Sequence, residues 1–161
     1  MLEDTNQEVQ AALKENIVEV FEDKYMSIFR LESLAAFEIK YSKEIYNSFN
    51  FQDAIEVMDQ TIVEIKKQLQ AGFKYDTILF NLLDGGPIAT PQVQEFVATV
   101  FYPFFSKKGI QNKIYCSPET IIPILMKSTN DNTALNQENN HPFFTNREDS
   151  ICHIKNTSII D

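Results

Sequence analysis

Tryptophan is absent from this 161-residue chain, and cysteine, histidine and glycine are scarce, with two, two and four copies. Two cysteines, Cys116 and Cys152, in no CxxC spacing exclude a disulfide scaffold and read as reduced thiols. The histidines, His141 and His153, stand apart in no zinc-ligand spacing. No GxxxxGK[ST] pattern occurs, so neither a metal nor a nucleotide cofactor is expected. No apolar run approaches the ~18 residues that a spanning helix needs. The opening residues, MLEDTNQEVQAALKEN, lack the basic start and apolar stretch of a secretory signal, so a cytoplasmic location is expected. Positive charge is in deficit: 14 Lys and Arg against 23 Asp and Glu leave a net −9. That balance excludes a uniformly basic nucleic-acid binder, because a phosphate backbone needs a cationic face.

What is present is a globular composition. Hydrophobic residues reach 43%, enough to exclude a largely disordered chain. Thirteen Phe and six Tyr form a heavy aromatic load that must pack in a core or at an interface.

Along the chain, residues 1–16 read as an extension or short helix. Ile17–Phe21, Ser27–Leu31 and Leu34–Ile39 are short, partly alternating, β-branched and aromatic runs, which predict an antiparallel opening. From Phe51 to Ala71 the apolar positions Phe51, Ile55, Met58, Ile62, Ile65 and Leu69 step by four and three, the stripe of an amphipathic helix. Asn50 suits its start, and Gly72 its left-handed stop. Thr77–Leu83 is nearly continuous in apolar residues and predicts a central strand buried on both faces. Asp84-Gly85-Gly86-Pro87 ends it. Thr90-Pro91 predicts a capped helix start, with Pro103 kinking or shortening the helix that follows. Lys113–Cys116 reads as a strand, Thr120–Lys127 as a short helix, Phe143–Thr145 as a last strand, and Asn146 onward as a last helix. The Asn-, Gln- and Thr-rich segment Ser128–Pro142 is a candidate gate, and residues 156–161 read as a tail. Strands alternating with helices imply crossover connections. The expected fold is therefore α/β, with a mixed, mainly parallel sheet, helices on both faces and an antiparallel amino-terminal hairpin.

That order, carried by TILFNLLDGG running into PIATPQVQEFVATVFYPFF, then KGIQNKIYCSPETI and FFTNREDSICHIK, resembles the STAS-like (sporulation anti-sigma-factor-antagonist-like) families of bacteria. The likeness covers residues 17–155, one domain. It implies a small non-enzymatic regulatory domain that works by protein–protein contact. In antagonists of this type a Ser or Thr at the start of the helix after the central strand is phosphorylated. Here the matching segment reads Pro87-Ile88-Ala89-Thr90-Pro91 in place of an Asp-Ser-Ser-Gly-like one, and Thr90 is its hydroxyl residue.

The residues themselves offer three candidate sites. The turn Asp84, Gly85, Gly86 up to Thr90 lets backbone approach a ligand, and the helix start favours an anion. The alternative reading is a tight strand–helix turn with Thr90 as a routine cap. Phe101, Tyr102, Phe104 and Phe105 point in different directions on a helix, so some are expected at a partner surface, a protein or a second copy. The alternative is that Pro103 turns them inward. Cys116 precedes a capped helix start and is a candidate thiol nucleophile, against the reading of a buried strand cysteine. Glu38, Glu56, Asp59 and Glu64 read as solvated acids. The leading function is a regulatory protein-binding domain switched near Thr90. The alternative is a carrier of a small anionic or lipidic ligand in an apolar cavity.

Overall fold

The structure, a computed structural model, describes residues 16–47, 51–86, 90–118 and 142–159. Six strands form one sheet in the order β1-β2-β3-β4-β5-β6. β1 (Ile17–Glu22) and β2 (Met26–Leu31) make an antiparallel hairpin. Its turn is held by the Asp23 carboxylate, which accepts from the Tyr25 and Met26 N–H groups at 2.8 and 2.9 Å. β3 (Ala36–Tyr41) is antiparallel to β2. From β3 onward the pairing is parallel, through β4 (Thr77–Asn81), β5 (Asn112–Cys116) and β6 (Phe143–Phe144). The expected mixed α/β sheet with an antiparallel opening is the observed one. The third strand starts two residues late, because Glu32–Leu34 form a 3-10 turn and Ala35 takes a left-handed φ of 49°.

α1 (Phe51–Gln70) is the predicted amphipathic helix. Met58 and Ile65 are buried, and Ile55, Ile62 and Leu69 pack half-buried against the same core. Gly72 has φ 105°, and the Phe73 N–H returns to the Gln68 carbonyl at 3.1 Å, the left-handed stop that only glycine takes without strain. α2 (Pro91–Phe96), a π turn (Val97–Phe101) and α3 (Tyr102–Lys107) run on as one rod. Pro103 does not end it. The π turn admits one extra residue per turn, and the Tyr102 N–H reaches back to the Val97 carbonyl. The missing donor of Pro103 therefore falls at a fresh helix start, where proline is tolerated.

α1, α2 and α3 cover one face of the sheet, over Ile28, Phe37, Ile39, Ile78, Phe80 and Tyr115. α4 (Arg147–Ile159) covers the other, over Leu79, Ile114 and Cys116, through Ile151 and Ile154. It runs beyond Lys155, into the stretch read as a tail. Asn146 caps it, accepting from the Asp149 N–H at 2.8 Å while its own amide donates to the Asp149 carboxylate at 3.0 Å. The helix expected at Thr120–Lys127, the Ser128–Pro142 segment, the Asn50 cap and residues 1–15 lie outside the described residues. No helix among the described residues is long and apolar enough to cross a membrane.

Candidate functional site

β3, β4 and β5 are parallel and end at one edge of the sheet. In open α/β sheets ligands commonly bind beyond that carboxyl edge. β4 is central and all five of its residues are buried. It stops at Asn81 because the Asn81 side-chain oxygen accepts from the Leu83 N–H at 3.2 Å, which turns the chain.

The following loop carries the first candidates. Asp84 is exposed and lies 3.6 Å from Lys40, a loose solvent-screened pair. Gly85 is buried for a reason of backbone packing. A Cβ there would overlap the Ser42 carbonyl, with the Ser42 carbonyl carbon 2.7 Å away. Gly85 thus lets the loop after β4 lie against the loop after β3, and Gly86 sits against the Leu82 side chain. Residues 87–89 lie outside the described residues. Thr90 is half-buried and caps α2, its hydroxyl oxygen accepting from the Val93 N–H at 3.3 Å. Pro91 and Gln92 beside it are exposed, so the first turn of the helix faces solvent.

The aromatic candidates fall elsewhere. Phe101, Tyr102 and Phe105 are buried and Phe104 is half-buried against the same core, so the exposed apolar patch expected there is taken up inside the fold. The π turn is the cause: the extra residue rotates the rings after it back onto the sheet. Phe105 meets Phe101 edge to face at 4.9 Å and Phe80 at 6.0 Å. Phe80 stacks on Tyr115 at 5.1 Å, and Tyr115 on Phe143 at 4.9 Å, an aromatic seam across β4, β5 and β6. Burial pushes the Tyr102 and Tyr41 phenols above their ordinary range, so both stay neutral. The exposed face of the rod instead carries Gln92, Glu95, Thr99 and Val100.

On the α4 side, the structure assembles a group that the sequence reading missed. Glu38, read as a solvated acid, is 3% exposed. Its carboxylate accepts two forked bonds from Arg147, 2.9 Å from Nε and 2.7 Å from Nη2, and a third at 3.0 Å from the Asn81 amide. Burial works against the Arg147 charge, but the bonds and charge of Glu38 outweigh it and its pKa is raised. Both oxygens of Glu38 are engaged, so the group ties the first residue of α4 to β3 and β4. Glu64, also read as solvated, is buried too and accepts from Gln60 at 2.9 Å and Lys67 at 3.0 Å. Glu56 and Asp59 are exposed as expected. The signal for Glu38 was its place in the apolar run Ala36-Phe37-Glu38-Ile39, where an unpaired charge is not tolerated.

Cys116 belongs to the same cluster. It is buried and free. Burial first, then the nearby Glu38 carboxylate, pushes its thiol up to about 11, against the opposing bond to Ser150. A thiol held so far above neutral pH is a poor nucleophile. The neighbouring Ser117 hydroxyl is buried with no hydrogen-bond partner among the described residues. Cys152 is free and half-exposed, and His153 lies 5.2 Å from the Phe144 ring. Among the described residues, no three His, Cys, Asp or Glu side chains gather as a metal ion would require. A groove of about 640 Å³ near the β1–β2 turn is open and lined by charged and apolar residues together, including Lys24, Lys40, Phe29 and Asp84.

Comparison with family models, with curated proteins and with solved structures returns no match to this chain.

Proposed function

We propose that the chain is a cytoplasmic, STAS-like regulatory domain that performs no chemistry and docks a protein partner through the start of α2. The observation that carries this reading is the hand-over from a central, fully buried strand to a helix whose first turn is exposed, at Pro91 and Gln92. Buried Val93 seats that turn on the core, which a docking surface requires. Thr90 is the switch. Its hydroxyl already faces the Val93 N–H, so a phosphoryl group there meets a backbone donor and the positive end of the helix. The raised thiol of Cys116 weighs against a cysteine enzyme.

The test is capture of a protein from the native cell by the tagged chain, quantified against Gln92→Arg/Glu95→Arg, Thr90→Glu and Thr90→Ala variants. A specific partner is retained by the wild type, lost from the double variant, and bound differently by Thr90→Glu and Thr90→Ala. Equal capture by all four chains refutes the docking face. A stoichiometric small ligand in native mass spectrometry of the purified chain replaces this reading with the carrier.

A further inference from the structure

A second surface lies at the opposite edge of the sheet, where the parallel strands begin. α1 and α3 both end there, each in a left-handed glycine, Gly72 and Gly109. Between these ends and the loop entering β4 runs an open groove of about 510 Å³. Lys66 on α1, Lys74 in the loop, and Lys107 and Lys108 at the end of α3 line it, and all four are exposed. None of them is in an ion pair among the described residues. Leu69 and Tyr75, both half-buried, supply its apolar surface. One carboxylate, Asp76, shares the groove and accepts a bond from the Thr77 hydroxyl at 2.9 Å. Each helix carboxyl end contributes about −0.5 of a charge. With Asp76 included, that still leaves a surplus of about two positive charges.

Four of the chain's 14 basic residues thus meet in one concavity of a protein whose net charge is −9. Routine capping accounts for a lysine at the end of a helix, but Lys74 lies outside any helix and faces the same space. We propose that this groove docks an acidic peptide segment of a protein partner. Range decides among anions. Screening confines the groove's attraction to about 8 Å at physiological salt. A short acidic peptide samples that local surplus alone. A flat anionic membrane or a long nucleic acid extends past it and meets the excess negative charge of the rest of the chain. The apolar surface of Leu69 and Tyr75 adds a seat for a hydrophobic side chain within the acidic segment.

The experiment titrates the ¹⁵N-labelled full chain with a synthetic decapeptide of alternating glutamate and leucine, following amide shifts. In parallel it is titrated with phosphatidylserine–phosphatidylcholine vesicles and with oligothymidine. Saturable shifts at Lys74 and at Lys107, Lys108 and Gly109, weakening as salt is raised, are expected from the peptide. Lys74→Gln/Lys107→Gln lowers its affinity by roughly ten-fold, since two screened charge contacts are lost. Lys66→Gln/Lys108→Gln is a second pair with the same expected loss, and circular dichroism reports that each keeps its fold. The proposal is overturned by the absence of saturable shifts in the groove, by unchanged affinity in a folded double variant, or by tighter binding of vesicles or oligothymidine than of the peptide.

Discussion

Replacing Arg147 with methionine should expose how the last helix is held. The substitution keeps the length of the stem and removes the guanidinium. It leaves the Glu38 carboxylate, 3% exposed, with the bond from the Asn81 amide. Removing one partner of a fully buried pair costs about 3–5 kcal/mol, because the other charge is stranded in a poor solvent. Arg147 is not fully buried: its side chain is 28% exposed, so water can reach part of the vacated space. The expected loss is therefore discounted to about 2–3 kcal/mol. Urea denaturation followed by circular dichroism reads this as a midpoint lower by about 1–2 M, with a slope of about 1–3 kcal/mol per molar. The double variant Glu38→Met/Arg147→Met should recover much of that loss, because two apolar side chains replace a pair whose desolvation was itself costly. A loss below about 0.5 kcal/mol in Arg147→Met would mean that the pair behaves as a surface contact, and the account of α4 as pinned by Glu38 would fail.

With its thiol pushed up to about 11, Cys116 holds about one part in ten thousand as thiolate at pH 7, so iodoacetamide mapped by mass spectrometry should label half-exposed Cys152 first. Labelling of Cys116 should climb with pH while the fold persists, and fast reaction at neutral pH would contradict its burial. Phe105→Ala should cost about 3–5 kcal/mol in thermal or urea melts, whereas Val100→Ala on the exposed face should stay within about 0.5 kcal/mol; similar losses at the two sites would refute the placement of the aromatic rings. Gly85→Ala should destabilise by about 1–3 kcal/mol because its Cβ meets the fixed Ser42 backbone, and a neutral result would show that the two loops are not in contact.

The order of elements was legible because each carried its own local signal. The four-and-three stripe of α1, the apolar run of β4 and the Thr90-Pro91 start act over a few residues, and short-range physics decides them. The glycine stop at Gly72 was legible for the same reason. The aromatic rings were not. Whether Phe101, Tyr102 and Phe105 face in or out depends on helix phase, and one extra residue in a turn resets that phase without a mark in composition. Glu38 was misread because its partner lies 109 residues away, and no window of sequence contains both. At the candidate site, the Thr90 cap was legible in its Thr-Pro pair. The role of Gly85 was not, since a glycine that admits a ligand and one that admits Ser42 look the same in a string of letters.

The π turn at Val97–Phe101 gives this rod a residue in hand. In a regularly wound helix the loss of one residue swings everything downstream by about 100° around the axis. Here, deleting exposed Thr99 would turn the bond from the Tyr102 N–H to the Val97 carbonyl into an ordinary one four residues apart, and Phe105 and Lys107 would keep their faces. The cost would fall at Pro103, whose ring would then meet a regular turn. A codon-sized deletion should therefore be borne better in this turn than anywhere along α1.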